Sequence, residues 1–101
     1  MNVVIATDTA ELTDAGNLTQ LQVTAPEAAS LESIDNILRE GALGSVVDTH
    51  AYLDIEALRR RRVELGLIDD DAYDGMIEYA AKKGWVSDDG GAVRAHIERV
   101  G

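Results

Sequence analysis

Apolar residues in this 101-residue chain recur at two spacings, and the spacing switches back and forth along it. An apolar residue at every second position marks a strand with one buried face, and one at every third or fourth marks a helix with one buried stripe. A chain that mixes the two in short blocks buries its helices against a sheet, which is an α+β arrangement. "NVVIATD" (2–8) opens with an apolar run suited to a short strand. "TAELTDAGN" (9–17) reads as a loop, with "DAGN" as a turn signal. "LTQLQVTA" (18–25) alternates, Leu21 and Val23 facing away from Gln20 and Gln22. These two strands are predicted to pair as an N-terminal β-hairpin spanning residues 1–25.

Helical spacing follows in "TAPEAASLESIDNILREG" (24–41). There Thr24 and Glu27 have capping-box spacing, Pro26 suits a first turn, and Leu31, Ile34 and Leu38 form a stripe with Ile37 beside it. Gly41 is a natural stop. "SVVDTHAYL" (45–53) reads as one alternating strand, with Val47, Thr49, Ala51 and Leu53 on one face and Val46, Asp48, His50 and Tyr52 on the other. Asp54 can cap a helix running to about Leu65, where Gly66 ends it. "DDDAYDGMIEYAAKKG" (69–84) is the clearest helix. Tyr73, Met76, Ile77 and Ala80 share one face, acids fill its first turn, and Lys82 and Lys83 its last. "WVSDDGGAVRAHIERV" (85–100) reads as a closing hairpin turning near Asp89 to Gly91, with Val93, Ala95 and Ile97 inward.

The predicted order is β-β-α-β-α-α-β-β. Its part from residue 26 to 101, α-β-α-α-β-β, is the element order of a winged helix, and the whole of 1–101 is expected to form one small domain. That likeness is one of order and pattern; it defines no family, and function has to be argued from side chains.

The core must be built largely from Leu, Val, Ile and Ala, because Phe is absent and aromatics are only 4% of the chain. The absence of Cys excludes disulfides, thiolate metal sites and Cys nucleophiles, and agrees with a reducing compartment. No basic segment precedes a long apolar one, and no apolar run approaches membrane-spanning length, so a cytoplasmic protein without membrane contact is expected.

The charge is −10 and uneven. Residues 1–55 hold nine acids and one base (−8), and residues 56–101 hold ten acids and eight bases (−2). Such a field attracts basic partners and repels phosphate, although acidity also serves plain solubility. The winged-helix order would send residues 70–83 into a DNA groove, yet their solvent face carries Asp71, Asp74 and Glu78 with only Lys82 against them. Nucleic acid is therefore not the expected partner. If it were one, the arginine run 59–62 would have to supply the grip from the preceding helix.

In that run, helical spacing puts Arg60 in a column with Glu56 and Glu64, turns Arg61 outward, and sets Arg59 and Arg62 at the edge of the apolar stripe. Their heads are expected to meet acids of the same domain, such as the "DDD" run; the alternative is a bidentate contact to a partner's carboxylate or phosphate. Asp48, His50 and His96 are the candidate catalytic set. If their strands are neighbours, His50 and His96 share a face with Asp48, Tyr52, Arg94 and Glu98, and an Asp beside a His can orient an imidazole for base work. The plain alternative is two surface histidines. Trp85 and Met76 read as core, and Tyr79, off the buried stripe, as a partner anchor or a core flank. No nucleophile elbow, phosphate-binding glycine loop or metal-spaced histidine pair is present, so no metal site and no cofactor is expected.

The leading expectation is a non-enzymatic, acidic protein–protein interaction module, an adaptor or regulatory accessory protein. Its partner-binding residues are Arg59, Arg61, Arg62, Asp74, Glu78 and Tyr79, its partner is basic, and it can self-associate. A nucleic-acid-binding winged helix using Arg59 to Arg62 and a small acid–base enzyme using Asp48, His50 and His96 are the alternatives.

Overall fold

The computed structural model describes residues 1–6, 8–68 and 70–100. The alternating segments become strands that line up in one six-stranded sheet, in the order β2-β1-β3-β6-β5-β4. β1 is Asn2–Ile5, β2 Ala10–Thr13, β3 Gln22–Pro26, β4 Gly44–Val47, β5 His50–Asp54 and β6 Ala92–Val100. The three helices are α1, Leu31–Glu40; α2, Ile55–Glu64; and α3, Asp70–Lys82. The chain is thus a small single α+β domain. Among the described residues, no helix is long and apolar enough to cross a membrane.

The inward-facing strand residues Val3, Ile5, Val23, Ala25, Ala51, Leu53, Val93, Ala95 and Ile97 are all buried. The strand registers put them on one face, where they join Ile34 and Leu38 of α1, Ala57 and Leu58 of α2, and Tyr73 and Ala80 of α3 in one core. The helices therefore cover one face of the sheet, and the other face carries the polar half of each alternation. Burying a Leu or Ile side chain of this kind contributes about 1.5–3 kcal/mol.

The winged-helix order is not confirmed, and three local departures explain why. First, the strands at 2–5 and 22–26 are neighbours but run parallel, with Val3 opposite Val23. The antiparallel partner of β1 is the short β2 inside the expected loop, with Val3 opposite Leu12. Residues 6–21 supply the connection of a dozen or more residues that a parallel pair needs. Second, "SVVDTHAYL" is not one strand but the hairpin β4–β5, turning at Asp48, whose φ is +56°. A two-residue turn swaps the faces. Val46 lies opposite Ala51 and packs on the core, whereas Val47 lies opposite His50 and is exposed. Third, the closing "hairpin" keeps its turn but loses its first arm to a single bridge, Val86 to Val93. β6 is not a peripheral wing. It lies inside the sheet, parallel to β3 and antiparallel to β5.

The first helix also begins later than expected. Ser30 is its cap, its hydroxyl accepting from the Ser33 N–H at 3.0 Å, and Thr24 to Pro26 belong to β3. Asp54 does cap α2, accepting from the Ala57 N–H at 2.9 Å. Asp69 lies outside the described residues, so the expected acidic first turn of α3 is placed only in part. Gly44 is required sterically: a Cβ there would collide with the Tyr52 carbonyl across the β4–β5 pair.

Candidate functional site

The arginine run divides by direction. Arg59 donates to Asp74 at 2.7 Å and lies 3.5 Å from Glu56, so Glu56 serves Arg59 and the expected Glu56–Arg60–Glu64 column is not what forms. Arg62 is 1% exposed and donates from Nε to the Ala15 carbonyl at 3.2 Å. The Arg59 and Arg62 guanidinium carbons lie 5.0 and 5.2 Å from the centre of the Tyr73 ring, close enough for cation–π attraction. The Tyr73 hydroxyl donates to the Ile55 carbonyl at 2.8 Å. Burial pushes that hydroxyl well above the usual tyrosine range, against the pull of the Arg59 and Arg62 charges, so it stays a neutral donor. Arg61 is half-buried and reaches the Gly41 carbonyl at 3.4 Å instead of turning outward. Of the four, Arg60 alone is fully on the surface. The aspartate partner found for Arg59 is Asp74; Asp69 and the Asp70 side chain, part of the expected "DDD" contact, lie outside the described residues.

The histidines are brought together. β5 and β6 are neighbours with Tyr52 opposite Arg94, and the same register carried one step further sets His50 opposite His96. His50, Tyr52, Arg94, His96 and Glu98 thus share the open face of the sheet. His96 Nε2 lies 3.0 Å from a Glu98 oxygen, and His50 Nδ1 lies 3.4 Å from the Thr49 hydroxyl. Asp48 does not join them. It is exposed in the β4–β5 turn, so the carboxylate beside a histidine is that of Glu98.

Both histidines line a cleft of about 320 Å³. It forms at a break in the sheet. β3 runs beside β6 only from His96 onward, while Val86 bridges Val93 on that same edge, and the Trp85 carbonyl accepts from the Arg94 N–H at 2.6 Å. Residues 18–21, just before β3, face Trp85 across the break, and α3 closes the helical side with Met76, Tyr79 and Ala80. Gly84, at φ +78°, turns the chain off the end of α3 so that Trp85 meets Tyr79 edge-on, with ring centres 6.2 Å apart.

Tyr79 is 57% exposed on α3, and Asp74 and Glu78 of the same helix are also exposed. Lys83 lies 5.5 Å from its ring centre. Trp85, expected in the core, is 36% exposed, and Met76 is half-buried against the core. Pattern reading put Trp85 in the core and Arg94 on the polar strand face with His96, and did not join the two in a cleft. The one sequence hint is that Trp85 follows the helix-ending "KKG" and so stands off the buried stripe of α3.

Among the described residues, no group of three His, Asp or Glu side chains is placed to hold a metal ion. Comparison with protein-family models, curated proteins and solved structures returns no match.

Proposed function

We propose that this protein is an acidic protein–protein interaction module, an adaptor or regulatory accessory protein whose contact surface is the solvent face of α3. The observation that carries this reading is Tyr79, a large aromatic left 57% exposed on a helix whose solvent side also exposes Asp74 and Glu78. Tyrosine in such a position supplies contact area at low entropic cost and is enriched among interface hot spots. The exposed acids of α3, within a chain of charge −10, favour a basic segment of the partner. Arg59 and Arg62 support that surface from beneath, holding α2 to α3 through Tyr73 and Asp74.

The test is capture from a host lysate at low and moderate salt with wild type, Tyr79→Ala and Glu78→Lys, each checked for an unchanged melting temperature. A specific partner should weaken about tenfold or more on Tyr79→Ala and lose its salt sensitivity on Glu78→Lys. Equal capture by all three proteins would reject this surface.

A second reading, a small acid–base enzyme, is favoured by one observation: His50 and His96 line the same cleft, with Glu98 against His96. In that reading Glu98 takes the orienting role expected of Asp48, and substitution of Asp48 leaves activity unchanged.

A further inference from the structure

The cleft at the sheet break differs chemically from the rest of the surface. The chain is rich in carboxylates, with 19, and none of those among the described residues lines the cleft. Its polar lining instead includes Arg94, His50 and His96. Among the described residues, no carboxylate lies within ion-pair distance of the exposed Arg94 guanidinium, whereas Arg39 and Arg59 each have an aspartate partner. Glu98 contacts His96 but is not itself a wall of the cleft. The opposite wall is apolar and partly aromatic: Trp85 and Tyr79 in edge-to-face contact, with Met76 and Leu21 beside them. Small-ligand sites have this make-up, a mostly apolar concavity with a few convergent polar groups, and about 320 Å³ is at the lower end of their size range.

We propose that this cleft binds a small aromatic carboxylate, its ring against Trp85 and Tyr79 and its carboxylate on Arg94 with His50 alongside. The pairing is dictated by complementarity. A planar guanidinium matches a carboxylate with two parallel hydrogen bonds, and an aromatic wall prefers a flat ring in edge or offset contact. The site selects against the molecule's own long-range field: a net charge of −10 draws in cations, so any preference for an anion has to come from the local lining. This proposal shares Tyr79 with the protein-binding reading but turns on Arg94, the histidines and Trp85, so Arg94→Gln tests it without altering α3.

The protein contains its own reporters. Trp85 is the single tryptophan and His50 and His96 are the two histidines, so tryptophan emission and the imidazole proton resonances both report on the cleft. The probes are phenylacetate, phenylacetamide and phenethylamine, which share a ring and differ in charge. Phenylacetate is expected to shift Trp85 emission and both histidine resonances with an affinity at least about tenfold above that of phenethylamine. Arg94→Gln should shrink that gap to below about threefold while leaving phenylacetamide binding in place. Equal affinity for the anion and the cation would overturn the proposal. So would unchanged Trp85 and histidine signals in wild-type protein at about 10 mM phenylacetate, a result that needs no variant to fold.

Discussion

Tyr73 is where the arginine question is settled. Its ring is buried against α2, its hydroxyl donates to the Ile55 carbonyl, and two guanidinium groups lie against it. A buried arginine costs desolvation unless its donors find acceptors, and for Arg62 the Ala15 carbonyl is one of them. The run "RRRR" thus contains one enclosed packing residue, one hinge to Asp74, one tie to α1 and one surface cation. Tyr73→Phe keeps the ring and both cation contacts but removes the hydroxyl's donation to the Ile55 carbonyl. It should lower stability by about 0.5–1.5 kcal/mol in urea denaturation, with the m-value unchanged. Helical periodicity had already set Arg59 and Arg62 at the edge of the stripe. It could not say that Arg62 goes inside, because a long side chain can bury its stem and turn its head either way.

Among the elements, one carboxylate adds a hydrogen-bonded clamp to the packing of α1 on the edge strand β4. Asp35 accepts from the Val46 N–H at 2.7 Å and from Arg39 at 2.8 Å. The Val46 N–H, followed by Arg39, holds the Asp35 carboxyl below the usual carboxylate range. With its pKa lower folded than unfolded, the group contributes stability that is fully present above the unfolded value and is lost as pH falls through the folded one. Wild type should therefore lose stability on acidification between about pH 5 and pH 2 more steeply than Asp35→Asn, which starts less stable at neutral pH. Denaturation midpoints across that range check it, and parallel slopes would remove the role. The hairpin beside this clamp was legible as apolar alternation but not as two strands. "SVVDTHAYL" alternates without a break, and the reversal rests on Asp48 adopting a left-handed conformation that Asp tolerates better than most residues. The faces then follow from pairing, so Val46 and Val47 exchanged places relative to the expected single strand.

For the whole molecule, β3 and β6 are the decisive contact, since they join residues near the start of the chain to its last strand in one sheet. A hairpin and a separate winged part would unfold in two steps. One sheet over one core predicts a single transition, with Trp85 emission and far-UV circular dichroism coinciding; separated curves would contradict it. The same junction makes the cleft, because β3 stops short along β6 and Trp85 takes up the edge beyond it. By itself, the sequence determined the α+β class, the helix stripes, the Asp54 cap, the Asp89 to Gly91 turn and the inward set Val93, Ala95 and Ile97. These depend on local periodicity and local backbone preference. Only the tertiary structure decided that β1 and β3 run parallel, that β6 is central, and that His50, His96, Arg94 and Trp85 meet. A strand's alternation states which face is buried but carries no information on its neighbour or its direction. Those are chosen by how all the buried faces close over one core.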